Sequence, residues 1–146
     1  SLQGSDPAGE NTASLHAAYA HRLRGWIPRD RSTPVLELGC GPGRLLRWLS
    51  TQGFTDLTGV DRGPEQVAPA RAACPGARIV QGDLGDALAD APGRYGLITA
   101  FDVLEHFRKD ELLPLLSRIA QALRPGGRLI VQTPNAESPW GSMHRY

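Results

Sequence analysis

The segment Val35-Leu-Glu-Leu-Gly-Cys-Gly-Pro-Gly43 constrains this chain more than any other stretch. Val35 to Leu38 reads as a short buried strand, and it runs into three glycines at alternate positions. A run with apolar Leu45, Leu46, Trp48 and Leu49 on one side follows, which predicts a helix from about Arg44 to Gln52. A sharp strand-to-helix turn needs residues that tolerate positive φ and put no Cβ in the way of a ligand. A tight turn that binds nothing would use the same glycines, so the loop alone leaves both readings open.

The rest of the chain repeats the alternation. Strands are predicted at Leu57 to Val60, ending at Asp61, and at Arg78 to Gln81, ending at Gly82-Asp83. Tyr95 to Phe101 is almost continuously apolar, as a parallel strand covered on both faces should be. The fifth strand is expected at Arg128 to Thr133. Between them, Pro64 opens a helix to about Ala73, which Pro69 is expected to kink or shorten. Asp110 is expected to cap a helix from Glu111 to Leu123, with Pro114 in its fourth position and Arg124-Pro-Gly-Gly127 ending it. A leading helix is expected from about Ala13 to Trp26, behind a flexible polar leader over residues 1–12. The pattern predicts an α/β fold: a doubly wound, Rossmann-like parallel sheet of about five strands, in one domain over residues 13–146.

Composition narrows the function. The chain has 146 residues, and 16 Lys+Arg against 15 Asp+Glu leave a net charge of +1, which argues against a broad nucleic-acid footprint. No apolar run approaches the roughly 18 residues of a membrane span. The two cysteines, Cys40 and Cys74, sit in no paired or metal-ligating spacing, so no metal is expected and a reducing cytoplasm is the simplest home.

Three acids then give the glycine loop its context. Asp61 ends the second strand, Asp83 the third, and Asp102 follows the fourth. In an open parallel sheet these positions line the edge where ligands bind. Asp61, 18 residues after Gly43, can accept both hydroxyls of a ribose. The dinucleotide fingerprint would put its third glycine at 44, which is Arg44, and no Lys-Ser/Thr pair follows the loop. An NAD(P)-dependent oxidoreductase is therefore the lesser alternative, and a phosphate-free nucleoside fits better.

The same residues carry a specific resemblance. Val35 to Gly43 resembles the first motif of the class I S-adenosylmethionine-dependent methyltransferases, in the style of bacterial small-molecule and quinone-type enzymes. Gly59-Val-Asp61, Gln81-Gly-Asp83-Leu84, Asp102-Val-Leu-Glu-His106 and Leu123-Arg-Pro-Gly-Gly127 resemble later family motifs, in order and spacing. The similarity implies methyl transfer from S-adenosyl-L-methionine, leaving S-adenosyl-L-homocysteine, to a small-molecule acceptor. It implies cofactor contacts from Glu37, Gly39, Cys40, Gly41 and Gly43 around the methionine part, and from Asp61 to the ribose. It also places Arg62, Asp83 and Leu84 at the adenine, Phe101 and Asp102 at the methionine end, and Tyr19 or His16 as a lid. His106 is the candidate general base for an acceptor that must lose a proton.

The family sheet has two further strands, so the resemblance implies a chain cut after the fifth, with residues 134–146 resembling an acceptor-facing loop. A homodimer covering the exposed strand-five edge follows as an expectation. A non-catalytic module that binds the cofactor or its product is the alternative reading.

Overall fold

The computed structural model describes residues 7–133. Five parallel strands, β1 (Val35–Leu38), β2 (Leu57–Asp61), β3 (Arg78–Gln81), β4 (Tyr95–Phe101) and β5 (Leu123–Gln132), form one sheet in the order β3-β2-β1-β4-β5. The helices are α1 (Pro7–Leu23), α2 (Arg44–Thr51), α3 (Pro64–Ala73), α4 (Leu84–Ala89) and α5 (Lys109–Ala122). The doubly wound architecture expected from the alternation is the one observed.

Alternate strand residues feed two cores. Val35, Leu57, Ile79 and Leu97 pack under α1, α2 and α3 with Leu23, Leu45, Leu46, Trp48, Leu49, Val67 and Ala70. Leu36, Leu38, Val60, Ile98 and Ala100 pack under α4 and α5 with Leu84, Leu88, Leu115, Ile119 and Ala122. β1 and most of β4 are buried on both faces. That explains why those two segments read as unbroken apolar runs rather than as alternating ones.

Five local expectations need correction. α1 starts at Pro7, inside the supposed leader, because a proline's fixed φ suits a first helical turn. It ends at Leu23, which leaves Trp26 on the surface at 62% exposure. Pro69 does not shorten α3, which runs on to Ala73 with Pro69 on its exposed face. Asp110 does not cap α5. The N-cap is Arg108, whose N–H donates to Glu111, while Asp110 binds the Arg108 guanidinium, so Pro114 becomes the sixth helical residue.

The fifth correction concerns Arg124-Pro-Gly-Gly127, which belongs to β5 rather than to a helix end. Tyr95 pairs with Leu123 and Leu97 with Arg128, so three extra residues of β5 bulge outward there. Two elements had no expectation: α4, and a single 3-10 turn at Leu104–His106. Among the described residues no helix is long and apolar enough to cross a membrane, and no cluster of His, Cys, Asp and Glu could hold a metal.

Candidate functional site

Because all five strands are parallel, the residues that follow β1, β2, β3 and β4 meet at one sheet edge. A cavity of about 540 Å³ opens there, within the usual range for small-molecule sites. Gly39, Asp61, Arg62, Asp83, Leu84, Phe101, Asp102 and His106 line it, so eight of the candidates come together. Cys40, Gly41 and Gly43 shape the loop behind Gly39, and Glu37 and Tyr19 stand outside the lining.

The loop is held by its glycines and by Asp61. Gly39 has φ 67°, and a Cβ there would run into Val103, so the backbone sits closer to the next wall than any other residue permits. Gly43 has φ 82°, and a Cβ would lie 3.0 Å from Cα of Ala70 on α3. The Asp61 carboxylate accepts from the N–H of Gly41 at 2.9 Å and from that of Gly63 at 2.8 Å, one on each oxygen. A carboxylate offers about four lone-pair sites, so each oxygen can still accept from a ligand hydroxyl.

Asp83 is more committed. Its Oδ1 caps α4 by accepting from Gly85 at 2.8 Å and Asp86 at 3.2 Å, and its Oδ2 accepts from the Arg62 guanidinium at 2.6 Å. The bond from Arg62 is the main cause that holds the Asp83 carboxyl below the ordinary carboxylate range. Arg62 also stands 6.0 Å from the Phe107 ring centroid. Asp102 adopts φ 56°, the one described non-glycine residue with positive φ, and its N–H donates to the Gln132 carbonyl on β5 at 2.8 Å. Backbone in that sparsely populated region concentrates at functional sites.

Glu37 lies beneath the loop, 4% exposed, and its Oε2 has no hydrogen-bond partner. Burial, then the like charge of Asp61, pushes its carboxyl well above the ordinary range. Burial and the same two acids push the Cys40 thiol up to about 12, so it stays a neutral packing group rather than a nucleophile. The Tyr19 phenol is likewise pushed up to about 12, first by burial and then by Glu37. Tyr19 packs against Trp48 and Phe101, with ring centroids at 5.8 and 6.5 Å, so it braces a cavity wall from behind. His16 faces a separate cleft with Arg44 and Arg47. His106 is exposed at the cavity rim, its Nε2 3.7 Å from a Glu105 oxygen.

Sequence reading missed Gly85, Val103, Phe107 and the α5 residues Glu111, Pro114, Leu115 and Arg118 in the lining. Gly85 gave no local signal: what requires a glycine there is the Arg118 guanidinium, which a Cβ would meet and which lies far along the chain. The loop expected over residues 134–146 lies outside the described residues.

A family model described as a methyltransferase domain matches residues 10–146. A TehB-like SAM-dependent methyltransferase from Corynebacterium glutamicum superposes with a TM-score of 0.67 at 30% identity, covering 85% of this chain and 69% of that one. The chain belongs to the class I S-adenosylmethionine-dependent methyltransferase family. An S-adenosylmethionine-dependent methyltransferase from Mesorhizobium loti aligns at 29% identity and a TM-score of 0.67, over 80% of this chain and 52% of that chain. Among curated relatives, trans-aconitate 2-methyltransferase of Paracidovorax citrulli is 34% identical over 123 residues, 82% of this chain and 46% of the relative. Ubiquinone biosynthesis O-methyltransferase of Vibrio parahaemolyticus is 32% identical over 105 residues, 69% and 43% of the two chains. This methyltransferase domain thus spans a little under half the length of those two relatives.

Proposed function

We propose that this domain binds S-adenosyl-L-methionine in the cavity at the sheet edge and transfers its methyl group to a small-molecule acceptor. The observation that carries the reading is the convergence of the Gly39 loop with Asp61, Asp83 and Asp102 on one cavity of nucleoside size. The residues fit the cofactor. Asp61 keeps free acceptor positions for two ribose hydroxyls, Asp83 Oδ2 keeps one for an exocyclic amine, and Glu37 offers an unpaired acid oxygen near the loop.

The bound cofactor supplies a sulfonium whose methyl carbon is already electrophilic. The chain therefore has to align and to exclude water. Asp61 fixes the ribose, and Arg62, Asp83 and Leu84 bound the nucleobase. Phe101 and Asp102 close the methionine end, and Gly39, Cys40, Gly41 and Gly43 form the close-fitting loop. Tyr19 acts through Phe101 as a brace. His106, at the rim, accepts a proton from an acceptor hydroxyl where one must leave. Relatives named for trans-aconitate and ubiquinone biosynthesis favour a small organic acceptor. Both cysteines are free and buried, which suits a reducing cytoplasm.

Calorimetric titration of the chain with S-adenosylhomocysteine tests the reading. Saturable binding to the wild type, weakened at least tenfold by Asp61→Ala, is expected. A folded wild type that binds neither cofactor nor product overturns it. The expected homodimer would use the β5 edge, and a concentration-independent monomer in sedimentation would remove it.

A further inference from the structure

A second cleft opens beside the glycine loop. Its volume is about 160 Å³, and α1, α2 and α3 all contribute to its wall. Gly39 lines the cavity at the sheet edge and Pro42 lines this cleft, so the same loop serves both. Among the described residues no aspartate or glutamate lines the cleft, whereas His16, Arg44 and Arg47 all do. The basic groups therefore converge on a concave surface with nothing of opposite sign in its wall.

The two arginines stand where local physics disfavours them. Arg44 is the first residue of α2 and Arg47 follows three positions on, so they share a helix face and repel each other. The first turn of a helix favours acids and disfavours cations, yet α2 has no acid there and its N-cap, Gly43, offers no side chain. Neither guanidinium has a hydrogen bond or an ion pair among the described residues. Their charge is felt by the groups around them. Burial and then Arg47 hold the His16 imidazole below its ordinary range, and Arg44 acts on the Tyr19 phenol. An anion seated between the arginines would remove the repulsion and satisfy both guanidinium groups.

We propose that this cleft is a second binding site, which takes the oxyanion group of a small molecule, a carboxylate or a phosphate, between Arg44, Arg47 and His16. The planar guanidinium fork matches the oxygens of either group. Leu15, Pro42 and Ala73 give apolar contact to the carbon atoms that carry the oxyanion. The site is distinct from the cavity at the sheet edge, and the inference does not depend on the cofactor reading.

The test is titration of the full chain with inorganic phosphate and with succinate at constant ionic strength, followed through the arginine Nε–H signals in proton–nitrogen correlation spectra. Saturable shifts confined to Arg44 and Arg47 are expected. A response to phosphate alone assigns a phosphate-bearing ligand, and a response to succinate alone a carboxylate-bearing one. Arg44→Gln and Arg47→Gln should each weaken binding about tenfold, the share of one charge-assisted contact. Arg24→Gln, at an exposed arginine outside the cleft, should leave it unchanged. Both cleft arginines are exposed, so the variants keep the fold. Melting temperature gives a second readout: a saturating probe should raise that of wild type and not that of the Arg44→Gln, Arg47→Gln double variant. Shifts that do not saturate with either probe, or that are as large at Arg24, mean an adventitious ion only and overturn the inference. S-adenosylhomocysteine takes no part in this titration, so the cofactor reading stands or falls separately.

Discussion

Arg62 and Asp83, 21 residues apart and at the ends of neighbouring strands, are joined by a 2.6 Å ion pair within the cavity wall. The same carboxylate caps α4, so one side chain ties together the end of β2, the start of α4 and the nucleobase end of the site. The arrangement leaves Asp83 with a single unused acceptor position. Any exocyclic amine must approach from the side that Arg62 does not occupy.

The two partners should differ in what their removal costs. The pair is well exposed, 64% on Arg62 and 44% on Asp83. Arg62→Ala should therefore cost less than about 1 kcal/mol of stability, since solvent and salt screen such pairs. Asp83→Ala also removes the cap of α4 and should cost about 1–2 kcal/mol. Urea unfolding of the two variants compares them, and equal losses would mean that the cap carries nothing.

Glu37→Gln should stabilise the protein when no cofactor is present, and increasingly so as pH rises. Glu37 has its folded-state ionisation raised by burial, so the native state holds a proton that the unfolded chain gives up above about pH 4.5. Wild-type stability is thus undiminished by this group in acid and falls as pH climbs toward the raised value. The amide has no such dependence. Thermal unfolding from pH 5 to 8 should show a gap between variant and wild type that widens with pH; a constant or shrinking gap contradicts the assignment.

Gly39→Ala should disable the loop for two separable reasons, the collision with Val103 and φ 67°. The backbone term alone is of order 1 kcal/mol, with the collision added to it. A Gly39→Ala, Val103→Ala double variant should recover the steric part only. Cofactor binding and melting temperature, measured on all three variants, separate the two terms, and full recovery in the double variant would mean that the positive φ costs nothing.

Trp48 is 2% exposed in the core beneath α1 and packs at a tilt against Tyr19, which in turn packs against the cavity residue Phe101. Trp48→Ala should cost about 3–5 kcal/mol. Trp48→Phe should cost less and leave binding nearly intact. A binding loss in Trp48→Phe larger than its stability loss predicts would show that the Tyr19–Phe101 contact transmits more than packing.

Much of this was legible because the signals are local. β1, β3, β4 and α3 fall where apolar runs and the punctuating Gly63-Pro64 place them. Asp61, Asp83 and Asp102 could be assigned to one edge because parallel strands must all end on the same side. α4 was missed because Leu84–Ala89 is too short for a helical period to register, and its only strong signal, Asp83, also fits a ligand acid. The course of residues 124–127 was misread because Pro-Gly-Gly equally suits a helix stop and the bulge that β4 pairing imposes.

The sequence by itself determined the strand-loop-helix alternation, the glycine loop, the line of acids and hence the family, since each depends on residues close together in the chain. Only the tertiary structure decided that Arg62 grips Asp83, that Tyr19 packs against Phe101, and that Glu37 and Thr99 sit unpaired in one row of the sheet. Those relationships join side chains 21 to 82 positions apart. Their partners, burial and charge state are set by strand order and helix packing, which no local spacing encodes.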